Sequence, residues 1–233
     1  MAQYDIDQDF LICNDNRCVL LAEDFIPQES APSVSAKFNK VLADIAKVYP
    51  KAVLVGAVAA AKYVRNPNTP RETQDVDILL DEKDFAEFLV DEIPDDTSKR
   101  LEAYFETSDS INHSLKHKET GIYVDLLSTE SKPIRKKISR FILDHRGDAT
   151  HVLFGDDHTI DILKPELLLA MKVNRYLKNP NTEKGISDRL DIVKVVKTMA
   201  QKQIPLNHDE VKSFLNRYEK SHYDAIIKEA LAA

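Results

Sequence analysis

Three aspartates occupy positions where a carboxylate is costly. Asp75 and Asp77 lie two residues apart in RETQDVDILL, and Asp125 interrupts the apolar run YVDLLS. In an extended chain alternate side chains share a face, which puts Arg71, Thr73, Asp75 and Asp77 on one side. Val76, Ile78 and Leu80 then point into a core. Two neighbouring carboxylates at about 4 Å and an effective dielectric near 20 repel each other by roughly 4 kcal/mol. Water, a proton or a cation must relieve that repulsion, and carboxylate oxygens suit a hard divalent ion such as magnesium. Asp125 extends the pattern, because an acid in a hydrophobic strand loses hydration that something else must replace. An isolated Asp-x-Asp is also what the solvent face of an ordinary strand looks like, so the pair needs support from elsewhere in the chain.

Gly56 supplies part of that support. It follows the buried strand pattern AVLV and opens an alanine-rich helix. At such a junction backbone N–H groups and the helix dipole can receive a phosphate, with no side chain in the way.

The elements that would hold these residues can be read from periodicity. Residues 9–24 show two short apolar runs about Asn14-Asp15-Asn16, the pattern of a hairpin. A helix follows, with Ser33 as N-cap and Pro50 beyond its end; Val34, Phe38, Val41, Leu42, Ile45 and Tyr49 share one face. The glycine strand and helix come next, then the Asp-x-Asp strand, then a helix capped by Asp81 with Phe85, Phe88 and Leu89 on one side. NHSLKH and IYVDLLS flank a turn in which Gly121 supplies φ > 0. IRKKISRFIL reads as an amphipathic helix, and HVLFG with TIDIL as a further strand pair. Pro165 suits a first helical position and begins ELLLAMKVNRYLK; SDRLDIVKVVKTMA and two shorter helices finish the chain. The expected class is α+β, a mixed sheet flanked by helices with a C-terminal helical bundle. The expected division is a hairpin extension over residues 1–32, an α/β core over 33–163 and a helical region over 164–233.

Composition narrows the field. The chain has 233 residues, 43% of them apolar, enough for a real core. No apolar run approaches the roughly 20 residues of a membrane span, and the N-terminus lacks a secretory pattern, so the expected location is cytoplasmic with no membrane partner. A net charge of −7 argues against a broad, sequence-independent grip on nucleic acid. Two local basic clusters, Arg135-Lys136-Lys137-Arg140 and Lys172-Arg175-Lys178, read as solvated helix surface. Cys13 and Cys18 cannot form a four-ligand zinc site alone. His113 and His117 have helical metal spacing but sit in a strand pattern, which disfavours a metal role.

The order Leu-Val-Gly, small-residue helix, Arg-x-Thr-x-Asp-Val-Asp-Ile and a later Val-Asp-Leu-Leu resembles the DNA polymerase β-like nucleotidyltransferase superfamily. Within it the chain looks most like the AbiEii-type toxin branch, which also has a helix bearing Lys and Arg followed by an Asp-x-x-Asp helix, here ILKPELLLAMKVNRYL and DRLDIVKVV. The similarity runs from about Val53 to Val196. The resemblance implies a nucleotidyltransferase-like fold with Asp75, Asp77 and Asp125 as metal-binding and catalytic acids. It also implies Gly56 and Ala57 as the phosphate loop, Mg2+ or Mn2+ as cofactor, and a nucleoside triphosphate (ATP among them) as donor. Lys172 is then the cation that reaches the phosphates. Asp188 and Asp191 offer an alternative partner for Lys172 and Arg175; phosphate is preferred for Lys172 and the aspartates for Arg175. Arg71, which like Thr73 is placed beside the nucleotide, could contact phosphate or pair with an aspartate.

The expected reaction is transfer of a nucleoside monophosphate to an acceptor hydroxyl, releasing pyrophosphate. The acceptor class (tRNA or other RNA, protein or small molecule) is left open, and the branch implies a toxin or defence role with a cognate antitoxin. One departure matters: the family's loop carries Gly-Ser or Gly-Gly, and Ala57 lacks a hydroxyl for a terminal phosphate. The alternative reading is therefore a non-catalytic protein of the same fold that binds nucleotide or a protein partner.

Overall fold

A computed structural model describes residues 11–14, 17–21, 32–64, 75–89, 93–107, 113–128, 132–154 and 158–232. Its centre is β3 (Val53–Val55), β4 (Asp75–Leu79) and β7 (Tyr123–Leu127). Leu54 of β3, Val76 and Ile78 of β4 and Val124 of β7 are all fully buried. Such side chains fit a sheet covered on both faces, because branched and long aliphatics pack densely on a pleated surface.

Around this centre the described residues form one nine-stranded mixed sheet. The outer strands are β1 (Leu11–Asn14), β2 (Arg17–Leu21), β5 (Phe105–Thr107), β6 (Ser114–His117), β8 (Thr150–Phe154) and β9 (Thr159–Leu163). Their order is β1-β2-β8-β9-β3-β4-β7-β6-β5. β1 and β2 pair antiparallel, and β2 runs parallel to β8, so this hairpin lengthens the sheet.

Helices cover the sheet. α1 (Pro32–Val48) packs on β9 and on α4 (Asp95–Tyr104), with Phe38, Val41, Leu42 and Ile45 buried as their helical spacing predicts. It begins at Pro32, one residue earlier than the cap expected from Ser33; proline is pre-organised for the first helical position. α2 (Gly56–Tyr63) lies against β4, and α3 (Glu82–Leu89) starts where the Asp84 N–H donates to Asp81 Oδ1 at 2.8 Å, the cap read from sequence. Neither α4 nor the single turn α6 (Arg146–Ala149) was apparent from periodicity; α4, DDTSKRLEAY, buries only Leu101 and so shows almost no apolar stripe.

α5 (Pro133–Asp144) buries Ile134, Ile138 and Ile142 and meets α7 (Pro165–Lys178). α7, α8 (Glu183–Gln201), α9 (His208–Phe214) and α10 (Arg217–Ala232) pack on one another, and α7 and α8 also meet α2. The β6–β7 turn has Gly121 at φ 72°, as expected. His117 at its base is buried with Nε2 3.0 Å from Asp44 of α1, while His113 packs edge-on to Phe85, so the two rings have separate partners. Among the described residues no helix is long and apolar enough to cross a membrane.

Candidate functional site

The three central strands bring the loop glycine and the acids together. β3 runs antiparallel to β4 with Val55 opposite Asp77, and β4 runs parallel to β7 with Asp77 opposite Asp125. Directly paired residues share a sheet face, so Asp77 and Asp125 are neighbours, and Asp75 joins that face two residues earlier, opposite Tyr123. Gly56 follows Val55 with φ +74°, and a Cβ placed there would lie 1.8 Å from Asp77 Oδ2. Glycine is required at 56 both by its backbone and by the approach of this carboxylate. No side chain caps α2, which starts at this point, so its first-turn N–H groups have no capping side chain. Ala57 is buried in that turn.

Asp77 is only 8% exposed. Burial raises its pKa above the ordinary 3.8, Asp75 and Asp125 raise it further, and Arg175 and Lys184 oppose them. Asp77 and Gly56 line a pocket whose other polar walls include Lys132 and Arg135 at α5 and Arg175 and Lys178 of α7. The cations repel one another. Lys132 has its pKa lowered by partial burial and by Arg135, Lys178, Arg175 and Lys184. Arg135 is lowered by burial and Arg175, and held up by Asp77. A positive rim thus surrounds a negative floor within a protein of net charge −7.

The basic run of α5 divides accordingly. Arg135 turns toward the acid pocket, whereas Arg140 is exposed and Lys137 donates to the Ser213 carbonyl. Arg135 lies three residues before Ile138, at the border of the buried stripe, a position that Lys137, three residues after Ile134, shares. Lys132 and Lys184 carried no sign in the sequence either.

Lys172 makes the aspartate contacts that the sequence offered as its alternative. It is 2% exposed, and its Nζ stands 2.7 Å from Asp191 and 3.2 Å from Asp188. A buried ammonium needs compensating charge, and the Asp-x-x-Asp helix provides it, while Lys172 also lines the pocket that holds Gly56 and Asp77. Arg175 makes a bidentate contact with Asp188, as expected; burial lowers its pKa, but Asp188, Asp77 and Asp191 together leave it raised. Arg71 and Thr73 lie outside the described residues.

The donor set is chemically right for magnesium, since it consists of carboxylate oxygens beside a glycine that admits phosphate. Asp75, Asp77 and Asp125 share one sheet face, with Asp77 directly opposite Asp125. Among the described residues no three acidic or imidazole groups are gathered as metal ligands, and Asp125 Oδ1 instead accepts from Ser114 Oγ at 2.5 Å. β6 supplies that serine directly opposite Asp125.

The chain that carries this site is similar in fold to a solved antigenic nucleotidyltransferase-like protein from Paracoccidioides brasiliensis. The TM-score is 0.53 at 18% identity, covering 85% of this chain and 94% of that one. The chain therefore has a nucleotidyltransferase-like fold. No family model and no curated protein matches it.

Proposed function

We propose that this chain is a metal-dependent nucleotidyltransferase that takes a nucleoside triphosphate and transfers its nucleoside monophosphate to an acceptor hydroxyl. The observation that carries the reading is the approach of Gly56 to Asp77, with Asp125 beside it and cations around the rim. Asp75 and Asp77 would hold Mg2+ (Mn2+ being similar in its ligands), which neutralises phosphate charge during in-line displacement. The α2 N–H groups receive the phosphates, Arg135, Lys132 and Lys178 offset their charge, and Asp125 accepts the proton of the acceptor hydroxyl. Ser114 keeps that carboxylate oriented. In this scheme Lys172 positions α7 against α8.

The AbiEii-type branch remains our choice within the superfamily, supported by the two helices bearing Lys172-Arg175 and Asp188-Asp191, with an antitoxin partner and a cytoplasmic site of action following from it. RNA, protein and small-molecule acceptors are equally compatible with the basic rim. A second reading, nucleotide binding without transfer, is favoured by one observation: Ala57 brings no hydroxyl to the loop. The test is calorimetry with each triphosphate and Mg2+, alongside transfer of α-phosphate label to RNA, protein and small-molecule acceptors. Transfer that disappears in Asp75→Ala/Asp77→Ala supports the enzyme. Binding without transfer across all acceptors supports the second reading, and no binding at all defeats both.

A further inference from the structure

On α7 the pocket wall carries an amide set in one orientation. Asn174 lines the pocket, and its Nδ2 donates to Glu219 Oε1 at 2.5 Å. Glu219 is 7% exposed and is itself fixed by a capping box at the start of α10. Its Oε2 accepts from the Asn216 N–H at 2.8 Å, while its own N–H donates to Asn216 Oδ1 at 3.0 Å. A carboxylate only accepts, so it is the nitrogen of the Asn174 amide that must face Glu219. The oxygen then points the other way, and among the described residues no protein group donates to it. Met171, one turn earlier on α7, and Ile134 of α5 line the same pocket and give it aliphatic surface suited to the flat face of a base.

We infer that Asn174 reads the nucleobase, with Glu219 as its positioning residue, and that the site selects bases presenting an exocyclic amino group over their keto counterparts. This rests on the nucleotide-binding reading above and extends it to the choice of donor. An amino group at position 6 of a purine or 4 of a pyrimidine donates to Asn174 Oδ1. A keto oxygen there would face it acceptor to acceptor, leaving both unsatisfied.

Two pairs of ligands isolate the effect, ATP against inosine triphosphate and CTP against UTP, titrated calorimetrically into the full chain with Mg2+. The amino member of each pair is expected to bind about tenfold tighter. Asn174→Ala removes that difference. Glu219→Gln makes the sharper test: its carbonyl keeps the Asn216 N–H, its amide N–H now faces Asn174, and Asn174 turns its oxygen inward and its nitrogen to the pocket. The order within each pair should then reverse, which a merely structural role for Glu219 would not produce. Should Glu219→Gln fail to fold, the wild type and Asn174→Ala decide the matter. Equal binding within both pairs, or keto preference in the wild type, overturns the inference and leaves nucleotide binding standing; a folded Glu219→Gln with the wild-type order overturns the role of Glu219. Failure of every nucleotide to bind overturns the proposed function and this inference with it.

Discussion

Between α7 and α8, Lys172 and Arg175 meet Asp188 and Asp191, two cations against two anions, with the lysine and Asp188 almost wholly removed from water. At the sheet end of the same pocket Asp77 stands beside Asp125 and near Asp75, and its burial and acidic neighbours are opposed by Arg175 and Lys184. The residue types are the same in both places. In the helix seam each charge is neutralised within the chain, so breaking one partner exposes the cost of a buried ion and affects stability. At Asp77 burial and like charges outweigh the opposing cations, so under the proposed function removing its charge affects ligand binding more than stability. Unbalanced burial, more than the presence of acids, is what distinguishes a site from a brace.

The largest effect that could break this distinction lies at Asp77. Asp77→Asn should lower label transfer by roughly a thousandfold or more, because the metal-binding charge is gone. It should leave the thermal midpoint unchanged or higher, since a buried like-charged neighbour has been removed. A clear fall in the midpoint would mean that Asp77 is a structural partner after all. The opposite pattern is expected in the seam. Asp188→Ala strands Arg175 and half of the Lys172 contact, costing about 3–5 kcal/mol in urea unfolding. A smaller loss of stability follows for Lys172→Met, because Asp188 keeps Arg175. Nucleotide affinity of the folded Lys172→Met protein should stay within about threefold of wild type, under ~0.7 kcal/mol. A much larger drop in affinity would return Lys172 to the phosphates.

Gly56→Ala joins the two regions, since the added methyl must displace Asp77 and force alanine into a left-handed backbone at about 1–2 kcal/mol. Both stability and nucleotide binding should fall, and titration with Mg2+ and triphosphate should show at least about tenfold weaker binding. A variant that lost stability alone would detach the glycine from the ligand.

How far the sequence reveals these two regions differs for a physical reason. Alternation along RETQDVDILL and YVDLLS was enough to place Asp75, Asp77 and Asp125 on solvent-poor strands, because side-chain direction in a strand is local. Gly56 was legible for the same reason, as a strand-to-helix junction. Which charges meet is not local. Lys172 and Asp191 are separated by the end of α7, a loop and the first half of α8, and the choice between carboxylate and phosphate depends on how α7 seats against α8. Arg135 was hidden in a run of four basic residues on α5, only one of which faces the acid pocket. Asn174 and Glu219 gave no signal, since their contact exists only once α7 and α10 pack together.

The smallest effect is also the most direct reading of imbalance. Asp77 has a folded pKa raised above 3.8 by burial and by its acidic neighbours. A group of this kind binds its proton more readily in the native state than in the unfolded chain. Its contribution to stability is therefore fully present below the unfolded value of 3.8 and is lost as pH rises through the raised folded value. Asp77→Asn, which mimics the protonated form at every pH, should match wild type in acid and become the more stable of the two as pH climbs out of the carboxylate range. Urea unfolding of both proteins across that window, without divalent ions, measures the gap. Adding Mg2+ with a triphosphate should close it from the other side by stabilising wild type alone. If the gap ran in the opposite direction, with the variant weaker at neutral pH, Asp77 would be as well neutralised as Asp188, and the sheet end would be a second brace.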